Sequence, residues 1–95
     1  MSKVKKPKVR THFFTFRPNG AVKKVQLAGC FTDWKPVPMS RQEDGGFLVS
    51  LRLEPGVYEY KFIVDGQWAT DPGHSDWAVN ACGSVNSVLR IESPQ

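Results

Sequence analysis

Ninety-five residues with a formal net charge of +4, 40% hydrophobic and 12% aromatic, make one small domain near the lower limit for burying a core without staples. No run approaches the roughly 18 apolar residues of a membrane span, and no apolar segment follows the basic N-terminus as it would in a signal peptide; no membrane partner and a cytoplasmic location are expected. Nor does the charge favour nucleic acid: Lys3, Lys5, Lys6, Lys8 and Arg10 are five of the thirteen cations, and the rest of the chain holds eight against nine carboxylates, so the basic character belongs to a flexible tail over residues 1–10.

After the tail, residues 12–16 alternate as a strand with Phe14 and Phe16 on one face, closed by Arg17-Pro-Asn-Gly. Residues 22–28 predict a second strand with Val25 and Leu27 inward. Residues 29–38 hold turn-formers and two prolines and predict a loop, from which Phe31 plugs the core. Residues 39–41 suit a short edge strand, and Glu43-Asp-Gly-Gly suits a hairpin. Residues 47–53 alternate, with Phe47, Val49, Leu51 and Leu53 inward, and Glu54-Pro-Gly is a turn.

Residues 57–64 are β-branched or aromatic at almost every position, with Tyr58, Tyr60, Phe62 and Val64 on one face and Glu59, Lys61 and Ile63 on the other. Asp65-Gly66 follows, the strongest short-range hairpin signal, because both residues tolerate positive φ. A two-residue loop sets Val64 opposite Gln67 and Ile63 opposite Trp68, placing an indole on the face of Lys61. Residues 70–84 read as a loop, and residues 85–91 as the last strand. About seven short strands without an amphipathic helix predict an all-β, antiparallel, immunoglobulin-like β-sandwich, here at residues 11–92 with residues 93–95 as a C-terminal tail.

Cys30 and Cys82 fit neither a disulfide framework nor a zinc spacing, and are expected as buried or semi-buried thiols. His12 and His74 belong to no catalytic motif. Asp65, Asp71 and Asp76 could serve as the paired acids of a glycoside hydrolase, but turn chemistry explains Asp65 and Asp71. No enzyme activity, cofactor or metal is expected.

The tryptophans suggest other chemistry. Trp34, Trp68 and Trp77 fall in or beside loops, while other residues fill the inward positions. An indole offers a flat apolar body to the C–H face of a pyranose and leaves the sugar hydroxyls at the rim. Lys61 and Asn86 can donate to and accept from those hydroxyls. Capping of the sandwich ends by the tryptophans, a solvated Lys61 and a turn role for Asn86 are the structural alternatives.

Gly29-Cys-Phe-Thr-Asp-Trp34, then Gly56-Val-Tyr-Glu-Tyr-Lys-Phe-Ile-Val-Asp-Gly-Gln-Trp68 with Asp71-Pro72, then Gly83-Ser-Val-Asn86 resemble the family 48 carbohydrate-binding module, the glycogen-binding domain of AMP-activated protein kinase β subunits, also found at the N-terminus of isoamylase and branching enzymes. The resemblance implies an early-set sandwich that binds α-1,4-linked glucans (glycogen, starch-like chains or maltooligosaccharides) without cleaving them. It implies that Trp34 and Trp68 stack on glucose and that Lys61 and Asn86 hydrogen-bond hydroxyls. Cys82 stands where the kinase-type members insert a leucine into the glucan, and Trp77 and Asn80 are further candidates in that loop. The alternative from a different class is a regulatory module that docks a kinase, phosphatase or glucan-metabolising enzyme through its sheet edges and exposed aromatics.

Overall fold

The computed structural model describes residues 9–73, 76–79 and 85–92. Within them the chain forms nine strands and a single 3-10 turn, all paired strands running antiparallel. The strands are β1 (Arg10–Phe16), β2 (Val25–Gly29), β3 (Val37–Pro38), β4 (Ser40–Arg41), β5 (Phe47–Leu53), β6 (Gly56–Val64), β7 (Gln67–Ala69), β8 (Trp77–Val79) and β9 (Val85–Ile91). They make two sheets: a smaller one ordered β1-β5-β4, and a larger one ordered β3-β2-β6-β9-β8 with β7 also on β6. Residues 1–8 of the expected N-terminal tail, the C-terminal tail and the candidates Asn80 and Cys82, like His74, lie outside the described residues, whereas Arg10, expected in that tail, opens β1 and pairs with Leu53.

The core fills the space between the sheets. Phe14 and Phe16 of β1 and Phe47 and Leu53 of β5 face Val25 and Leu27 of β2, Tyr60 and Phe62 of β6, and Leu89 of β9. Rings interlock across the gap, with Phe16 and Phe62 edge-to-face at 5.1 Å and Phe14 and Tyr60 at 5.3 Å. Each fully buried side chain of this size removes enough apolar surface to contribute about 1.5–3 kcal/mol. Phe31, in the 3-10 turn at Cys30–Thr32, packs against this core and touches Phe14 and Tyr58 at 5.4 and 5.7 Å.

Strand β6 carries the larger sheet. Its C-terminal half pairs with β2 on one edge and β7 on the other, and its N-terminal half pairs with β9. The β6–β7 turn is the predicted one: Asp65 and Gly66 both have positive φ, 47° and 85°, and Val64 opposes Gln67 while Ile63 opposes Trp68. Asp65 also accepts the backbone N–H of Lys24 at 2.9 Å and that of Lys23 at 3.1 Å. Those donors are thereby withheld from a ladder, which is why β2 starts at Val25 and not at residue 22.

Two expectations are corrected. Part of the predicted loop is strand: Trp77–Val79 pairs with β9, and Val37–Pro38 with β2. Cys30 is exposed, its Sγ accepting the Glu59 backbone N–H at 3.4 Å. It sits in the short 3-10 turn, not under the sheets.

Candidate carbohydrate-binding site

In a sheet, directly paired residues point to the same face, and the face alternates along each strand. The pairs Ala28 with Lys61, Ile63 with Trp68, and Glu59 with Val88 therefore place Lys61, Trp68 and Glu59 on the outer face of the larger sheet, away from the core. Asn86 shares that face, since Ser87 pairs with the inward Tyr60. Trp34 reaches it from the loop after the 3-10 turn. The Trp34 and Trp68 rings lie 6.4 Å apart with planes inclined by 56°. Trp34 is 37% exposed and Trp68 53% exposed.

Local backbone chemistry fixes Trp34. Asp33 and Trp34 both occupy the left-handed region, with φ of 55° and 60°. That conformation is unfavourable for a bulky side chain and persists only where surroundings impose it. Here the Trp34 N–H donates to the Gly29 carbonyl at 2.9 Å, and the Lys35 N–H to Thr32 at 3.1 Å. Thr32 Oγ1 in turn accepts the Gly29 N–H at 3.1 Å. The strained turn lifts the indole out of the loop and against Trp68.

The polar residues differ in availability. Lys61 is half-buried, and among the described residues no ion pair or hydrogen bond engages its ammonium. Its three N–H donors are open to a ligand. Asn86 is only 4% exposed, and its Nδ2 donates to Glu59 Oε1 at 2.9 Å. A carboxylate only accepts, so Glu59 fixes which end of the amide faces it; Asn86 keeps its carbonyl and one N–H for other partners. Glu59 was missed from sequence, although strand alternation already put it beside Lys61.

Trp77 does not join this group. It pairs with Ser87, whose neighbour Tyr60 points into the core, so its indole emerges on the opposite face of the sheet. The three carboxylates weighed as acids are each engaged. Asp65 holds the β6–β7 turn, Asp71 accepts the Tyr60 hydroxyl at 2.6 Å, and Asp76 pairs with Arg90 at 3.2 Å. Burial and the facing Asp71 hold the Tyr60 phenol protonated, far above its ordinary range.

The model of the family described as the glycogen recognition site of AMP-activated protein kinase matches residues 12–95. The chain belongs to this family. It is 36% identical over 77 residues to 5'-AMP-activated protein kinase subunit beta-1 of Sus scrofa, an alignment covering 81% of this chain and 62% of that protein. It is 52% identical over 75 residues to Protein PTST homolog 2, chloroplastic, of Arabidopsis thaliana, covering 78% of this chain and 14% of the relative. It is also 52% identical over 69 residues to Protein FLOURY ENDOSPERM 6, chloroplastic, of Oryza sativa subsp. japonica, covering 72% and 13%. This glycogen-recognition module thus spans only part of each relative's length. Among the described residues no helix is long and apolar enough to cross a membrane.

Proposed function

We propose that the module binds α-1,4-linked glucan without cleaving it, on the outer face of the larger sheet, through Trp34, Trp68, Lys61 and Asn86. The observation that carries this reading is the pair of half-exposed indoles, 6.4 Å apart and tilted by 56°, on the face of Lys61, whose ammonium has no partner among the described residues. Stacking removes apolar pyranose and indole surface from water, and the tilt matches a polymer whose successive rings turn, as α-1,4 linkages require; coplanar plates would suit a flat ribbon. Lys61 donates to hydroxyls at the rim, and the Asn86 carbonyl accepts from one. Three of these four residues stand on hydrogen-bonded strands, so little ordering is lost on binding.

Trp68 sits on a two-residue hairpin with over half of its surface exposed, so its removal does not open the core. Trp68→Ala is expected to weaken retention on immobilised glycogen about 30-fold, the equivalent of about 2 kcal/mol for a central interface tryptophan, with an unchanged thermal midpoint. Undiminished retention of that variant would remove the platform from the mechanism.

A docking role is favoured by one further feature, Phe13, which is 60% exposed on β1 while its neighbour Phe14 is buried. Several relatives are kinase subunits, so a kinase or a glucan-metabolising enzyme is the partner class this surface would meet. Calorimetry with maltoheptaose separates the readings: absence of heat at millimolar sugar favours docking alone. A cytoplasmic location fits a module of this kind, and the two plant relatives named as chloroplastic make a plastid the other candidate compartment.

A further inference from the structure

The opposite side of the larger sheet has an indole of its own. Trp77 is 63% exposed and Val79, two residues along the same edge strand, 62%. Both point to the side that faces the smaller sheet, beyond the edge of the shared core. Trp77 there forms one wall of a cavity of about 220 Å³ that Thr70, Asp71, Val85 and Ser87 complete. This is smaller than the roughly 300–1,000 Å³ that holds a drug-sized ligand, and suits a single ring.

Its polar groups are fixed before any ligand arrives. The Asp71 carboxylate receives the Tyr60 hydroxyl on Oδ2 at 2.6 Å and the Gly73 N–H on Oδ1 at 2.9 Å. The Asp71 N–H donates to Ser87 Oγ at 2.8 Å. Each carboxylate oxygen keeps a lone pair, Ser87 keeps its hydroxyl hydrogen, and Thr70 is exposed with a hydroxyl that donates or accepts. A flat apolar plate beside a pinned acceptor and two hydroxyls, in a space for one ring, is what a pyranose needs: C–H groups on its face and O–H groups at its rim.

We propose that Trp77, Thr70, Asp71 and Ser87 form a second glucose-binding pocket, on the face of the larger sheet opposite Trp34 and Trp68, that takes the end of an α-glucan chain. The chemical class of the ligand rests on the glucan reading of the outer face. The open platform accepts internal units of a chain, whereas a pocket sized for one ring accepts a terminus. A module with sites on both faces of one sheet holds two chains at once, or one chain end while gripping a neighbouring branch, and gains avidity on a branched particle.

The indole N–H resonances of the three tryptophans, assigned from single Trp→Phe variants, test this in titrations with maltoheptaose and with β-cyclodextrin, which has no chain end. Maltoheptaose is expected to move the Trp77 signal along its own isotherm, distinct from that of Trp34 and Trp68, and β-cyclodextrin to move only the latter pair. In Trp68→Ala the Trp77 response persists, and in Trp77→Ala the Trp34 and Trp68 responses persist while the second isotherm disappears. Thr70→Val, a conservative change on an exposed residue, weakens the Trp77 isotherm at least threefold. The pocket is overturned if the Trp77 signal stays still while the other two respond, if it moves equally with the cyclic sugar, or if Trp68→Ala abolishes it. A response from Trp77 alone overturns the platform and leaves the pocket standing, and silence from all three signals removes both.

Discussion

Trp34 concentrates the conflict between stability and recognition in one residue. Its φ of 60° costs an L-residue about 1–2 kcal/mol relative to glycine, and the hydrogen bond from its N–H to Gly29 holds it there. Replacing the side chain separates the two effects. Trp34→Gly and Trp34→Ala both lose the contact with Trp68 and are expected to lose glycogen retention together. In urea denaturation, however, Trp34→Gly is expected to be about 1 kcal/mol more stable than Trp34→Ala, because only the alanine still carries a Cβ against the positive φ. Equal stabilities would show that the turn relaxes once the indole is gone. Sequence reasoning placed Trp68 and Lys61 on one face, since alternation and a two-residue hairpin fix register without tertiary information. It could not place Trp34, whose direction depends on a left-handed loop residue that no periodicity reports. It also assigned both ends of the Asn86 amide to sugar hydroxyls or to a turn, because the half-buried Glu59 that takes one of its N–H groups lies 27 positions away in the chain.

At the level of strands, legibility followed length and alternation. Strands β5 and β9 begin and end where their patterns do, at Phe47–Leu53 and Val85–Ile91. Strand β8 has three residues in a stretch of Asp, Pro and Gly, too short for a period to show, and exists because β9 offers it a ladder. At Gly29 the end of β2, the 3-10 turn and Trp34 meet. Its φ of −167° is ordinary extended backbone, so conformational freedom is not the reason for glycine there. A Cβ at that position would lie 2.7 Å from the Glu59 carbonyl oxygen and 2.7 Å from the Phe31 ring. Gly29→Ala is therefore expected to destabilise by about 1–3 kcal/mol through overpacking, and to weaken glycogen retention because the Gly29 carbonyl anchors Trp34. Gly66→Ala, in open space but at φ of 85°, is expected to cost about 1 kcal/mol and to leave Phe31 and Trp34 undisturbed. Urea midpoints of the two variants, read beside glycogen retention, check the contrast. A Gly29→Ala protein with wild-type stability and retention would show that the Phe31 ring swings aside without cost.

For the whole molecule the question is whether attraction to a particle comes from charge or from stacking. The chain carries +4 overall, yet four of its cations, Lys3, Lys5, Lys6 and Lys8, precede the first strand. Arg10 does not belong with them structurally, because it pairs with Leu53 in β1. Deleting residues 1–8 therefore brings the formal charge to zero while leaving every described strand intact. Glucans are neutral, so a stacking mechanism has no counterions to release and no long-range field to lose. The truncated protein is expected to bind maltoheptaose and glycogen as the full chain does, and binding by both is expected to change less than twofold between 50 and 500 mM salt. An electrostatic mechanism makes the opposite demand, since screening shortens the reach of charge from about 10 Å at 0.1 M toward 3 Å at 1 M. Retention that falls with salt, or disappears with the tail, would assign the attraction to the lysines and leave the indoles as bystanders. Retention that survives both leaves apolar contact and short hydrogen bonds as its only source, which is what two exposed aromatic rings on a near-neutral sheet can supply.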